Sequence, residues 1–362
     1  MSLLANAPIS SQHPAVLHTT AREAIDALLH EGESHNTVAS YQGASRYWGA
    51  WYRLRYGTPI ALPLSVACVL QFIVDHAQRM TATGLATELP PAIDRALVAG
   101  GFKGKLGPVA QATLAHRIAV MSKVHLMRGL LNPCHDVQVR ELLTRTRRAY
   151  AKRGAVPQKK AALTKDLLGQ LLATCDDSLR GQRDRALLLF AWASGGRRRS
   201  EVVNAQCHAL RRIGPTGFIY TLTHSKTNQS GLDLPENQKP VLGVAGEALA
   251  AWLQASGITE GLIFRRILKG GHLGGAMNPA AVRNIVQARC KLADVKGDFS
   301  AHSLRSGFVT EAGRQNVSLA DTMALTGHRS IPTVMGYFRA EAPISNKGAH
   351  LLNPVENTNP GL

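Results

Sequence analysis

Seven residues near the middle of the chain, Gly154-Ala155-Val156-Pro157-Gln158-Lys159-Lys160, constrain its fold most. Glycine and proline break helical patterning there and two lysines add positive charge, so the segment reads as a boundary between folding units. A length of 362 residues also suggests about two domains, and 45% hydrophobic residues is enough to fill two cores. The division expected is a flexible arm over 1–16, a helical domain over 17–153, a basic linker over 154–160, a second domain over 161–340 and a tail over 341–362.

In the first half, Ser34 signals a helix start ahead of Val38, Tyr41, Trp48, Trp51 and Leu54. Arg46, Arg53 and Arg55 are interleaved with these aromatics, either as the solvated flank of a core stripe or as phosphate contacts. A helix follows Pro63-Leu64-Ser65. The stretch 80–108, with Pro90-Pro91 and Gly100-Gly101, reads as irregular. Helicity resumes from Val109 to Leu131, stops at Asn132-Pro133, and restarts at Asp136 in a helix that turns basic at Arg145, Arg147, Arg148, Lys152 and Arg153.

Beyond the boundary, Leu167 to Leu172 and the apolar run Ala186–Trp192 read as helices. Phe218-Ile219-Tyr220-Thr221-Leu222 alternates like a strand, with Gly231–Leu234 as its return. A helix is expected over Val244–Ile258, ending at Gly257. Phe264–Gly275 lacks the Lys-Ser/Thr ending of a phosphate loop and reads as a flexible loop. Asn278-Pro279 starts a helix whose polar face, Arg283, Asn284, Gln287 and Arg289, either reads base edges in a major groove or is merely solvated.

The formal charge of +18 and a pI near 10.2 favour a polyanionic partner, most simply nucleic acid, over a ribosomal or membrane-surface role. Five scattered cysteines without a Cys-x-x-Cys pair indicate neither a disulfide framework nor a metal site. The start lacks the pattern of a signal peptide, and no apolar run is long enough to span a bilayer. A cytoplasmic protein with no membrane partner is the expectation.

The residues that carry chemistry lie in the second half. His302 and Arg305, three apart, share one face if helical and offer an imidazole and a fixed cation. Gly327-His328 and then Tyr337 follow. A phenol has an ordinary pKa of about 10, so a nucleophilic tyrosine needs nearby cations or a base. Upstream, Gly196-Arg197-Arg198-Arg199-Ser200-Glu201 supplies Arg198, which with Arg305 can neutralise a phosphodiester and the added charge of its transition state. Glu201, three residues after Arg198, is placed to orient that guanidinium.

These boxes resemble the tyrosine recombinase (phage integrase) family: a Gly-x-Arg-x-Ser-Glu box, a lysine in a β-turn (Lys226), His-x-x-Arg (His302 to Arg305), Gly-His (Gly327-His328), and a tyrosine nine positions on (Tyr337). Five boxes in order across about 140 residues are far more specific than any one. The present chain departs in having Arg197 where an aliphatic residue is usual.

The resemblance implies a mainly α fold with a small antiparallel β-sheet in the catalytic domain, and an N-terminal helical bundle that closes with it as a C-shaped clamp on DNA. It implies a site-specific recombinase or integrase that cuts and rejoins strands through a 3′-phosphotyrosyl intermediate, without metal or nucleotide cofactor. Tyr337 would attack, Arg198 and Arg305 bind the phosphate, His302 exchange a proton, His328 donate to the phosphate and Lys226 protonate the leaving oxygen. The partner implied is a double-stranded recombination site, bound by a monomer that assembles into a homotetramer on two sites, with accessory DNA-bending proteins. Lys159, Lys160 and the basic helix end would follow the DNA backbone, and the tail would either be disordered or dock on a neighbouring protomer. A type IB topoisomerase-like relaxing enzyme and a catalytically silent DNA-binding regulator are the alternative readings.

Overall fold

The computed structural model describes residues 34–155, 160–222 and 237–338, together with 23–25, 27 and 32. The expected arm over 1–16, Lys159, Lys226, the return strand at 231–234 and the tail over 341–362 lie outside the described residues. The chain divides into two compact units, Met1–Pro157 and Gln158–Leu362.

The first unit is built from α1 (His35–Tyr56), α2 (Val66–His76), a hairpin of β1 (Arg79–Thr81) and β2 (Gly84–Ala86), then α3 (Pro91–Ala99), α4 (Gln111–Met127) and α5 (Val137–Lys152). Ser34, Ser65 and Asp136 cap α1, α2 and α5 by accepting backbone N–H bonds, which satisfies donors that a helix start leaves unpaired. Trp48, Trp51 and Phe72 are fully buried. Trp48 stacks on Phe72 at 3.6 Å, and Trp51 meets Phe72 edge-on. Both indole N–H groups are satisfied, Trp48 by the Arg117 carbonyl and Trp51 by Asp75, as buried indoles require. The stretch read as irregular holds both the hairpin and α3. Its Pro91 sits in the first helical turn, where a missing N–H costs nothing.

The second unit runs through α6 (Lys165–Ala173), α7 (Leu179–Ala193), α8 (Arg199–Val203), β3 (Leu210–Arg212), β4 (Phe218–Thr221), β5 (Gln238–Val241) and α9 (Val244–Ser256). It continues through β6 (Arg265–Ile267), β7 (Leu273–Ala276), α10 (Pro279–Leu292), α11 (Ala301–Arg314), α12 (Leu319–Thr326) and α13 (Ile331–Phe338). The mainly α class with small antiparallel sheets is therefore the observed one. The apolar helix α7 is the centre of the core: Leu187, Leu188, Phe190 and Ala191 are fully buried and α9 and α11 pack on it. Strands β3, β4 and β5 form an antiparallel sheet, with Tyr220 opposite Lys239.

Two expectations are corrected in this unit. Phe264–Gly275 is not a loop: β6 and β7 pair there as an antiparallel hairpin. Arg289 is not on a solvated face: it is 6% exposed, donates from Nε and Nη2 to Asp184 at 2.9 and 2.6 Å, and gives Nη1 to the Thr174 carbonyl. A buried guanidinium needs such partners. Of the five cysteines, Cys68, Cys134, Cys175 and Cys290 are buried and Cys207 is half-buried. No helix among the described residues is long and apolar enough to cross a membrane.

Candidate active site

Residues far apart in the chain meet because of one turn. After α7, Gly195 and Gly196 take positive φ values of 92° and 69°, and a Cβ on Gly196 would lie 2.2 Å from the Arg305 Cα. Only glycine suits this backbone and this proximity. The turn delivers Arg197 and Arg198 onto α11, which carries His302 and Arg305.

Arg198 precedes α8 and is held by Glu201, which accepts from the Arg198 backbone N–H at 3.1 Å and from Nη1 at 2.6 Å. The expected orienting role of Glu201 thus has a geometry. Burial alone would raise the Glu201 pKa, but Arg197 and Arg198 outweigh it and hold the carboxyl below its usual range. Arg305 is 4% exposed. It donates Nε to His328 Nε2 at 3.2 Å, Nη1 to the Gly196 carbonyl at 3.2 Å and Nη2 to the Thr326 carbonyl at 2.6 Å. Burial, then the nearby Arg197 and Arg198 charges, bring its pKa down to about 10, so it stays charged at neutral pH.

The two histidines are set for different tasks. His328 accepts from Arg305 at Nε2 while its Nδ1 is 2.7 Å from Thr326 Oγ1, a pattern that fits the neutral Nδ1–H form. Desolvation, then Arg305, Arg198 and Arg197, push its pKa down to about 4. His302 Nε2 lies 2.8 Å from the Tyr337 hydroxyl. His302 is exposed, yet desolvation by the surrounding protein, then Arg305 and Arg198, hold it below the ordinary histidine range. Tyr337 is supplied by α13, which packs on α11.

Arg198, His302 and Arg305 line a cavity of about 300 Å³ with Arg197, Ser300 and Arg283. A larger groove of about 720 Å³ runs along β3, β4 and α9 and includes none of these catalytic candidates. Arg283, expected on a base-reading face, is exposed and donates to Gln287, whose amide in turn donates to the Phe299 carbonyl. Arg46, Arg53, Arg147, Arg148 and Lys152 are exposed. Arg145 pairs with Glu141, Lys160 pairs with Asp298, and the half-buried Arg153 caps the Gln78 carbonyl.

Two cations escaped the sequence reading. Arg197 is 3% exposed and donates to the Leu325 carbonyl; its signal is its place in the Arg197-Arg198-Arg199 run, one residue from the glycine turn. Lys239 is 2% exposed and donates to the Ala324 carbonyl at 2.5 Å. It alternates with buried Val241 on the inward face of β5, a pattern that places a lysine in the core.

The guanidiniums of Arg198 and Arg305 and the His302 imidazole thus line one cavity, and the imidazole meets a phenol. A family model described as the phage integrase family matches residues 161–342, and the chain belongs to that family, the tyrosine recombinases. It is 31% identical over 235 residues to an integrase/recombinase xerD homolog of Selenomonas ruminantium, covering 62% of this chain and 67% of that relative. Among solved structures it resembles the Tn1549 transposon integrase in complex with transposon right end DNA, with a TM-score of 0.55 and 12% identity over 91% of this chain and 97% of that one. A lambda integrase dimer bound to a COC′ core site gives a TM-score of 0.52 and 15% identity, covering 90% and 97%. At these identities the two structures speak for the fold.

Proposed function

We propose that this chain is a site-specific DNA recombinase in which Tyr337 forms a 3′-phosphotyrosyl bond. The single observation that carries the reading is the 2.8 Å contact between the Tyr337 hydroxyl and His302 Nε2, beside two guanidiniums. An imidazole held below its ordinary range is neutral at pH 7, so its lone pair can take the phenolic proton.

The Tyr337 oxygen bonds to phosphorus, and the bond from phosphorus to the 5′-oxygen breaks. The phenolic proton goes to His302, and Lys226 supplies one to the departing 5′-oxygen. Arg305 has five N–H donors; three of them hold His328, Gly196 and Thr326, and the others are offered to the nonbridging oxygens together with Arg198. His328 supports the phosphate-binding group indirectly, by accepting the Arg305 Nε–H and giving its own N–H to Thr326. Rejoining is the reverse attack by the 5′-hydroxyl of another strand, so bond energy is kept and no nucleotide is consumed. Exchange between two duplexes breaks four strands with one tyrosine per chain, which calls for four copies; accessory DNA-bending proteins would help to bring the two sites together.

Arg46, Arg53, Arg147, Arg148 and Lys152 are offered as contacts to the DNA backbone, with Arg145, Arg153, Lys159 and Lys160 alongside them and Arg283 and Gln287 nearer the scissile position. Relaxation by a topoisomerase-like enzyme and silent DNA binding are not favoured, because both the family and the relative are of integrases and recombinases.

The test is a nicked suicide substrate carrying the recombination site. Wild type should form a denaturation-resistant adduct, while Tyr337→Phe binds equally and forms none. An adduct from the phenylalanine variant, or none from well-bound wild type, would remove Tyr337 from this role.

A further inference from the structure

Helix α12 ends at Thr326, two residues before His328, and its end is capped in an unusual way. The last four carbonyls of a helix have no partner within it. Here the Met323 carbonyl accepts from the Gly327 N–H at 2.7 Å. The next three accept from cations on three different elements: Ala324 from Lys239 of β5 at 2.5 Å, Leu325 from Arg197 of the glycine turn, and Thr326 from Arg305 of α11 at 2.6 Å. All three cations are nearly fully buried, at 2%, 3% and 4% exposure.

Burying that much positive charge is expensive unless something compensates it. Glu201 lies 3.8 Å from Arg197 and 2.6 Å from Arg198. The helix end adds to this, carrying the equivalent of about half a negative charge. The Thr326 carbonyl at that end lies against Arg305, which lines the cavity with Arg198 and His302, so uncapped carbonyls would place negative potential beside it. Capped, they hold three cations and the Gly327-His328 turn in one rigid unit.

We propose that Arg197 and Lys239 are positioning residues, which with Arg305 clamp the C-terminal carbonyls of α12 and thereby fix His328 and mask the negative helix end from the scissile phosphate. The inference rests on the recombinase reading for its functional consequence, but the clamp itself does not. Arg197 acts on His328 and Arg305 through the backbone and through its charge; Lys239 acts through the Ala324 carbonyl. Neither is given contact with DNA.

The test uses the full-length chain with Arg197→Met, Arg197→Lys and Lys239→Met. Two readouts are taken: the titration of the His328 imidazole by NMR without DNA, and single-turnover adduct formation alongside DNA affinity. Arg197→Met should move the His328 midpoint upward from about 4, because the Arg197 charge helps to depress it. Displacing His328 should slow adduct formation about 10- to 100-fold with affinity changed less than about threefold. Arg197→Lys, which keeps the charge, should recover most of the rate, and Lys239→Met should show the same loss of rate at unchanged affinity.

Unchanged titration in Arg197→Met together with wild-type rates in Lys239→Met would overturn the proposal. So would a rate that falls only in step with the folded fraction. If Arg197→Met does not fold, Lys239→Met and Arg197→Lys still decide the matter. Were Tyr337→Phe to retain the adduct, the titration would continue to test the clamp while the recombinase reading failed.

Discussion

A matched pair of glycine substitutions separates backbone strain from site geometry. Gly196 and Gly257 have nearly the same left-handed conformation, with φ of 69° and 64°, so alanine at either should cost about 1–2 kcal/mol in strain. Their surroundings differ. A Cβ on Gly257 meets nothing within 4 Å, whereas on Gly196 it would lie 2.2 Å from the Arg305 Cα, against 3.4 Å where ordinary contact begins. The turn and α11 must therefore part by about 1 Å, which adds about 1–3 kcal/mol of overpacking. A 1 Å displacement between Arg198 and Arg305 is expected to slow the chemistry about 10²-fold. Urea unfolding and single-turnover cleavage of a nicked site measure the two effects. Gly257→Ala should lose about 1–2 kcal/mol and keep its rate per folded molecule; Gly196→Ala should lose about 2–5 kcal/mol and cleave about 10²-fold more slowly on DNA that it still binds. Gly196→Ala cleaving at the wild-type rate, or Gly257→Ala losing as much rate, would refute the claim that this turn sets the distance between the two arginines.

Two further outcomes follow from buried charge. Asp184→Ala strands Arg183 and Arg289, which it holds at 2.7 and 2.6 Å, and should lower unfolding free energy by about 3–5 kcal/mol, read in urea titrations. His76, buried and paired with the Tyr47 hydroxyl at 2.7 Å, has its pKa lowered to about 4 from 6.5, chiefly by burial. The unfolded chain then binds the proton first, so stability should decline as pH falls from 6.5 towards 4, by about 3 kcal/mol in all; His76→Gln should flatten that part of the stability profile.

What the sequence disclosed and what it concealed divide along a physical line. Arg198, His302, Arg305, His328 and Tyr337 could be grouped from the sequence because they fall in short boxes of fixed local spacing, and the fold brings them together. Glu201 could be read as an orienting group because it lies three residues from Arg198. Arg289 was misplaced because its partner Asp184 is 105 positions away, and helical periodicity cannot distinguish a solvated arginine from one with a distant carboxylate. The helix Pro91–Ala99 was hidden because proline marks both helix starts and helix breaks. Gly270 and Gly271, at φ of 91° and 86°, read as flexibility when they form the turn region of a hairpin.

The same distinction explains the electrostatics of the site. Local spacing announces the cations that face the cavity, but not how their charge is tolerated, because that depends on where a helix ends in space. A carboxylate beside each arginine would satisfy its N–H groups and also cancel its charge. Backbone carbonyls at a helix end accept from the N–H groups and cancel only part of the charge, about half a unit shared among three cations. Arg197, Lys239 and Arg305 each give an N–H to a carbonyl of the α12 end, Glu201 serves Arg198 and Arg197, and the Arg197 Nε is buried without a partner among the described residues, so the two guanidiniums are fixed with a single carboxylate between Arg197 and Arg198. On the recombinase reading, a phosphate entering the cavity would meet donors already aligned and a charge only partly neutralised, the arrangement in which electrostatic stabilisation of a transition state is largest.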